Sequence, residues 1–270
     1  MAGPILEVKG LTCGYSPDKP IIRDVSFTID EPAFVCIIGP NGVGKSTLVR
    51  CLDGLIKPMS GTVSVMGKPL EEYSLKELAK IVGYVPVMRA DSNTMKVIEA
   101  VIVGRYAHQK VKTTRRDIEI AVKALRSMEI EDLAQQNVDE LSAGQHQKVA
   151  VSRGLAQEPK ILILDEPTAN LDVRHQVYVS AFLKKLSALS GMTVVMISHD
   201  LNLASKYADT LIVMERPGVV HSIGRPEDIV TREMVRRVYG VDCDIADDHG
   251  KPYVVLQDVL DLNEEESPDS

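Results

Sequence analysis

The chain has 270 residues, of which 44% are hydrophobic and 26% are charged. These proportions are typical of a soluble globular protein and exclude wholesale disorder. The formal net charge of −7 argues against nucleic acid as a partner, because nucleic-acid-binding proteins usually present a basic surface to the phosphates.

No stretch of the sequence approaches the roughly 20 apolar residues that span a bilayer, so any function at a membrane requires another chain. The start of the sequence has no basic segment followed by a long apolar run, and we expect no secretory signal. The four cysteines form no Cys-x-x-Cys pair. We therefore expect free thiols in a reducing cytosol.

The first part of the chain predicts β-structure. Residues 5–8 and 25–29 alternate apolar and polar side chains, and residues 34–38 form a continuous apolar run typical of a central strand covered on both faces. A glycine-rich loop follows, and residues 46–55 then carry Leu48, Leu52 and Leu55 at helical spacing. Residues 62–66 predict another strand.

The remaining elements predict an α/β fold with a mainly parallel sheet, an N-terminal antiparallel part and an inserted helical block. Residues 87–156 have helical character, and predicted strands at 161–164, 193–197 and 211–214 alternate with helices at 173–189 and 202–208. We expect one domain, 1–240, with core 1–86 and 157–240 and helical subdomain 87–156. A C-terminal extension at 241–262 has no assigned role, and the acidic stretch 263–270 is expected to be unstructured.

The glycine-rich loop fits the pattern G-x-x-x-x-G-K-S and stands after a buried strand and before a helix. In that context the loop N–H groups and the helix N-terminus surround phosphates, Lys45 reaches the β- and γ-phosphates of ATP, and the Ser46 hydroxyl binds Mg²⁺. A glycine-rich turn with a chance lysine is the alternative. The residues predicted to bind nucleotide here are Gly39, Asn41, Gly42, Gly44, Lys45, Ser46 and Thr47.

Two acids end the predicted strand at 161–164. Because the carboxyl ends of parallel strands form the ligand-binding edge of a sheet, Asp165 and Glu166 should lie near the phosphate loop. Neighbouring residues of a strand point to opposite sides, so the two acids should differ in role. We expect Asp165 to contribute to the Mg²⁺ site and Glu166 to accept a proton from the attacking water. A solvated acidic turn is the alternative.

The segment Leu-Ser-Ala-Gly-Gln at 141–145 resembles the signature motif of the ATP-binding cassette (ABC) ATPases, which usually reads Leu-Ser-Gly-Gly-Gln. The resemblance implies the ABC ATPase fold, with Ser142, Gly144 and Gln145 contacting the γ-phosphate held by an opposite subunit. A head-to-tail homodimer follows. Ser142 and Gln145 also form a capping box, which starts a helix whether or not it binds an anion.

Three further positions match the same family. Tyr15 resembles the aromatic residue that stacks on adenine, although it could be a plain turn tyrosine. Asp172, in the segment 169–172 with Asn170, resembles the acid of the loop linking the two sites of the dimer. His199, at the end of a predicted buried strand, resembles the histidine that contacts the γ-phosphate; a surface or capping histidine is the alternative.

The sequence departs from the family after residues 82–86, where members carry a glutamine that contacts Mg²⁺ and the lytic water. This chain has Val87, whose side chain neither donates nor accepts hydrogen bonds. One interpretation is that Val87 simply packs and that water or a polar group such as Asn93 substitutes. The other is weaker Mg²⁺ coordination, slower hydrolysis and altered coupling.

Residues 101–108, 199–204 and 238–241 resemble ATPase subunits of importers for iron–siderophore complexes, haem and cobalamin. The resemblance implies a peripheral position on the cytoplasmic side of the cell membrane, two transmembrane permease subunits as partners and, indirectly, an extracytoplasmic substrate-binding protein. The transported ligand is not encoded in this subunit. A soluble ABC ATPase without a permease, and a slow ATP-gated clamp suggested by Val87, stay open as alternatives.

Overall fold

The computed structural model describes residues 3–16, 18–87, 95–108, 112–169 and 171–259. Asn93, Asn170 and the predicted acidic stretch 263–270 lie outside these residues. In chain order the strands are β1 (Leu6–Cys13), β2 (Ile22–Ile29), β3 (Phe34–Ile38), β4 (Ser60–Val65), β5 (Lys68–Pro69), β6 (Val82–Val85), β7 (Ile161–Leu164), β8 (Thr193–Ile197), β9 (Thr210–Glu215), β10 (Val219–Gly224), β11 (Val241–Asp248) and β12 (Lys251–Val259).

The helices alternate with these strands in the second half of the chain and cluster between β6 and β7. In chain order they are α1 (Lys45–Leu52), α2 (Leu75–Leu78), α3 (Val97–Ile102), α4 (Arg115–Ser127), α5 (Ala143–Ala156), α6 (Val173–Ser190), α7 (Leu201–Tyr207), α8 (Pro226–Ile229) and α9 (Arg232–Tyr239). No helix in the described ranges is both long and apolar enough to cross a bilayer.

The strands form an antiparallel sheet in the order β2-β1-β4-β5 and a larger sheet in the order β10-β9-β3-β8-β7-β6. In the larger sheet the pairs from β9 to β6 are parallel, and β10 is antiparallel to β9. The predicted α/β class, with a mainly parallel sheet and an antiparallel N-terminal part, is therefore confirmed.

The larger sheet separates two hydrophobic cores. Successive side chains of a strand point to opposite faces, so Phe34, Cys36 and Ile38 pack in the core that contains α4 and α5, whereas Val35 and Ile37 pack in the core shared with α1 and the antiparallel sheet. Both faces of β3 are thus covered, as its continuous apolar run predicts. The loop that follows β3 emerges at the carboxyl edge of the sheet.

Helices α3, α4 and α5 pack against one another in the chain segment between β6 and β7. A buried arginine joins them to the strand side of the fold: Arg105 is only 4% exposed. Its Nε lies 3.1 Å from Asp117 Oδ1, and its Nη1 donates to the Ala156 carbonyl at 2.7 Å and pairs with Glu158 at 2.8 Å. The division into core and helical subdomain remains a prediction.

Two segments differ from the sequence expectation. Helix α1 ends at Leu52 rather than at residue 55, because Gly54 adopts a left-handed backbone (φ 75°) and breaks the helix. Leu55 is consequently 63% exposed. At the C-terminus, β11 and β12 form an antiparallel hairpin whose two-residue turn, His249 and Gly250, has positive φ at both positions.

Candidate functional site

The loop between β3 and α1 has a backbone that only glycine accommodates at its first position. Gly39, Gly42 and Gly44 have φ values of 147°, 77° and 105°. A Cβ atom on Gly39 would lie 2.4 Å from the Met214 carbonyl oxygen. Asn41 and Gly42 are exposed at the tip of the loop, whereas Thr47, in the first turn of α1, is 5% exposed. The tip of the loop is therefore exposed to solvent, whereas the start of the following helix is buried.

Lys45 begins α1 and is 5% exposed. Its Nζ donates to the carbonyl oxygens of Gly39 at 2.7 Å and Pro40 at 2.9 Å, across the mouth of the loop. Burial lowers the Lys45 pKa, and the nearby Glu166 and Asp165 oppose that effect. No side chain caps the first turn of α1, so its N–H groups and the ammonium together fit a phosphate anion.

Asp165, directly after β7, is fully buried. Its Oδ1 accepts a hydrogen bond of 3.0 Å from Ser46 Oγ, so the two predicted Mg²⁺-binding residues are in contact. Burial raises the pKa of Asp165, and the Ser46 hydrogen bond lowers it. A hydroxyl and a carboxylate are hard oxygen donors, the ligand type that Mg²⁺ prefers, and the metal usually takes its remaining ligands from water and substrate phosphates. The donor set therefore fits this ion.

Glu166 stands beside Asp165 but contacts a different partner. Its Oε1 lies 2.5 Å from His199 Nε2, so the two predicted catalytic residues form a pair at the ends of β7 and β8. Both side chains are partly exposed, which leaves them accessible to water. Glu166 has a left-handed backbone with φ 52°, a conformation that is uncommon outside glycine and clusters at functional sites.

Two residues that sequence reasoning did not single out join this group. Tyr84 of β6 donates a hydrogen bond of 3.3 Å to Asp165 Oδ2. Arg50 of α1 donates from Nη1 to the Tyr15 hydroxyl at 2.7 Å. Burial raises the pKa of Tyr84, and the nearby Arg50 opposes that effect. Tyr15 is 61% exposed, which leaves much of its side chain accessible to a ligand. Tyr84 is placed near Asp165 by the parallel pairing of β6 with β7, which the sequence did not predict.

The signature segment lies in a second group of residues. Ser142 caps α5 and forms the predicted capping box with Gln145: Ser142 N–H donates to Gln145 Oε1 at 2.9 Å, and Gln145 N–H to Ser142 Oγ at 3.3 Å. Asp172 caps α6 and accepts from the His175 N–H at 2.9 Å. Ser142, Gly144, Gln145 and Asp172 line one open cavity of about 580 Å³.

The position that departs from the family pattern lies just beyond β6. Val87 is 41% exposed, so it does not pack in a hydrophobic core. Asn93, the polar substitute considered above, lies outside the described residues. The consequence of Val87 for hydrolysis stays a hypothesis.

Comparisons with known proteins agree with these motifs. The sequence model of the family described as ABC transporter matches residues 22–169. The chain is similar to the ferric enterobactin transport ATP-binding protein FepC of Escherichia coli, with 40% identity over 91% of each chain. It is also similar to an uncharacterized ABC transporter ATP-binding protein of Methanocaldococcus jannaschii (40%; 93% of this chain and 97% of that one) and to the probable siderophore transport ATP-binding protein YusV of Bacillus subtilis (34%; 94% and 96%).

Solved structures give the same result. An inward-facing putative metal-chelate type ABC transporter matches with a TM-score of 0.80 and 25% identity, over 95% of this chain and 98% of that one. A dimeric bacterial ABC transporter cassette matches with a TM-score of 0.73 and 28% identity, over 82% and 98% of the two chains.

Proposed function

The chain belongs to the ABC transporter family and hydrolyses ATP as an ATP-binding subunit, and from this premise we propose that it drives import of iron–siderophore-type metal chelates. The observation that carries the ATP-hydrolysing part of the proposal is the group at the carboxyl edge of the sheet. There Ser46 and Asp165 are 3.0 Å apart, and Glu166 and His199 are paired at 2.5 Å.

We propose that the phosphates of ATP bind in the loop between β3 and α1. The buried Lys45 ammonium, now bonded to two loop carbonyls, would turn to the β- and γ-phosphate oxygens, and the α1 N-terminus would add its uncapped N–H groups. The exposed ring of Tyr15 would stack on the base. Ser46 and Asp165 would hold Mg²⁺, which when bound neutralises charge on the β- and γ-phosphates.

Glu166 is the proposed general base. Its carboxylate would accept a proton from the attacking water, and the 2.5 Å contact with His199 Nε2 would fix the orientation of that carboxylate beside the γ-phosphate. Donation from His199 to a γ-phosphate oxygen would use the same Nε2 proton and would therefore replace the contact with Glu166. Asp165 cannot take the role of base, because it is fully buried and bonded to Ser46.

The proposal includes a head-to-tail homodimer. Ser142, Gly144, Gln145 and Asp172 line a cavity of their own, and their contact with a γ-phosphate requires ATP held by a second copy. One similar solved structure is a dimeric cassette, which supports this arrangement. Hydrolysis would remove the bridging phosphate and shift the dimer towards its open state.

The proposed partners are two transmembrane permease subunits, which place the chain on the cytoplasmic side of the membrane as a peripheral protein. Val103 and Tyr106, in the segment that resembles importers, are 53% and 78% exposed. Exposed apolar side chains of this kind suit a protein contact. An extracytoplasmic binding protein would act indirectly through the permease.

The class of cargo is supported by the relatives, which include proteins named for ferric enterobactin and siderophore transport. Haem and cobalamin are the other cargoes that the resemblance of residues 101–108, 199–204 and 238–241 implies. Copurification with membrane subunits, followed by uptake of a ferric siderophore into proteoliposomes, tests the assignment. Failure of the chain to copurify with any permease would instead support the alternative that it is a soluble ABC ATPase.

Glu166→Gln tests the catalytic assignment. We expect the steady-state ATPase rate to fall about 100-fold or more, while MgATP converts the chain from a monomer to a stable dimer measured by light scattering. Glu119→Gln, an exposed change on α4, is the matched control and should leave both readouts unchanged. Equal rates for Glu166→Gln and the parent would favour the slow ATP-gated clamp over a hydrolysing subunit.

A further inference from the structure

Three polar side chains beside the phosphate loop form a path of contacts from the surface to the buried Asp165. The path begins at the exposed Tyr15, whose hydroxyl accepts from Arg50 Nη1 at 2.7 Å. Arg50 also interacts electrostatically with Tyr84, and the Tyr84 hydroxyl donates to Asp165 Oδ2 at 3.3 Å. The path therefore connects Tyr15, which is proposed to stack on the nucleobase, with Asp165, which is proposed to bind the metal.

Local geometry explains why these residues meet. Ser46 and Arg50 are four residues apart on α1, so they share one face of that helix. Ser46 reaches Asp165 Oδ1, and Arg50 reaches the tyrosine that bonds Oδ2. The two oxygens of the carboxylate are thus held from the same helix, one directly and one through Tyr84.

The sheet places Tyr84 on the correct side. Tyr84 pairs in register with Ile163, and Asp165 follows two residues later. Residues two apart in extended chain point to the same face, so Tyr84 and Asp165 share a face of adjacent strands. Asp165 N–H still bonds the Val85 carbonyl, which extends the strand pairing to the acid itself.

We propose that Tyr84 is a positioning residue for the metal site and that Arg50 couples it to Tyr15, so that nucleobase and metal are bound by one connected unit. The inference rests on the proposed function, because it needs Asp165 at the metal and Tyr15 at the base. A buried carboxylate can rotate about its Cβ–Cγ bond. A second hydrogen bond fixes that rotation and with it the direction of Oδ1 towards the metal.

Tyr84→Phe tests the positioning role, since it removes the hydroxyl and keeps the ring. The readout is the affinity of a fluorescent ATP analogue for the full chain, measured with Mg²⁺ and with chelator. We expect Tyr84→Phe to reduce the Mg²⁺-dependent gain in affinity roughly fivefold, the net size of one typical hydrogen bond, and to leave the metal-free affinity within about twofold. Tyr73→Phe is the matched control: it removes a 2.9 Å bond to the Val65 carbonyl outside the site and should change neither affinity.

The coupling is tested by a double-mutant cycle with Tyr15→Phe, which keeps the stacking ring and removes the hydroxyl that Arg50 binds. We expect Tyr15→Phe to reduce the Mg²⁺-dependent gain as well, and the double variant to lose less than the product of the two single losses. If the loss in the double variant equals the product of the two single losses, the two tyrosines act independently and the coupling is overturned. An unchanged Mg²⁺-dependent gain in Tyr84→Phe, or equal losses with and without metal, overturns the positioning role.

Two further readouts keep these outcomes separate. If Tyr84→Phe does not fold, Arg50→Gln interrupts the path from a partly exposed position on α1 and should show the same selective loss of the Mg²⁺-dependent gain. A parent chain without Mg²⁺-dependent ATPase activity would instead contradict the proposed function itself. If the parent has Mg²⁺-dependent ATPase activity but Tyr84→Phe and Arg50→Gln bind the analogue as Tyr73→Phe does, only the inference is contradicted.

Discussion

Arg105→Met removes the guanidinium that joins the inserted helices to the segment preceding β7. Arg105 is 4% exposed and its partner Asp117 is 5% exposed. The substitution keeps most of the apolar stem, so no large cavity forms. It leaves the Asp117 carboxylate with only its bonds to Thr114 and leaves the buried Ala156 carbonyl without the 2.7 Å bond it accepted.

The expected cost follows from these lost partners. A hydrogen bond to a charged group is worth about 1.5–3 kcal/mol, and an unsatisfied buried carbonyl costs about 1–3 kcal/mol. The contact with Glu158 adds about 0–1 kcal/mol, because the Glu158 side chain is 50% exposed. We therefore expect Arg105→Met to lower the free energy of unfolding by about 3–5 kcal/mol, the range for breaking a buried ion pair.

Urea unfolding followed by circular dichroism measures this loss. Arg115→Met is the control, because Arg115 forms an i,i+4 pair with Glu119 in which the two side chains are 93% and 64% exposed. It should cost no more than about 0.5 kcal/mol. A loss for Arg105→Met as small as that of the control would refute the conclusion that this buried contact stabilises the attachment of the helices.

Two further predictions concern titration and the unusual valine. Burial raises the pKa of Asp53 to about 7, from an ordinary value of 3.8. Between about pH 4 and 7 the folded chain then keeps a proton that the unfolded chain has released, so stability falls as the pH rises through that window. Asp53→Asn should be more stable than the parent in urea at pH 8 and lose that advantage below about pH 4; an advantage independent of pH would contradict the assignment. Val87→Gln should raise the ATPase rate of the assembled complex, since the 41% exposed position accepts a polar side chain and the family resemblance implies that a glutamine there contacts Mg²⁺; an unchanged rate would remove the hypothesis.

The sequence predicted the central elements because their signals are local. The apolar runs at β3, β7 and β8 indicate strands that are covered on both faces, as in a parallel sheet. The contact of Ser46 with Asp165 follows from the rule that parallel strands present their carboxyl ends to one edge. The glycine-rich loop placed the start of α1 to within one residue, and the capping box of Ser142 placed the start of α5.

The parts that were not predicted depend on distant contacts. The hairpin of β11 and β12 has few buried side chains of its own. It is held by packing on α7 and α9 and by Asn202, which exchanges bonds of 3.1 Å and 2.7 Å with the backbone of Val254. The contact of Tyr84 with Asp165 depends in the same way on strand order, which a single sequence does not reveal.

The strand order of the larger sheet also constrains how the protein is made. Phe34 pairs with Val194, and Val35 pairs with Thr210. At roughly 5–20 residues per second, the ribosome needs about 9–35 seconds after β3 emerges before both of its neighbours exist. During that interval β3 and the phosphate loop have no finished sheet to join, so the nascent chain exposes an apolar strand with two unpaired edges. Overproduction in cells depleted of chaperones should therefore yield aggregates seeded by the N-terminal half.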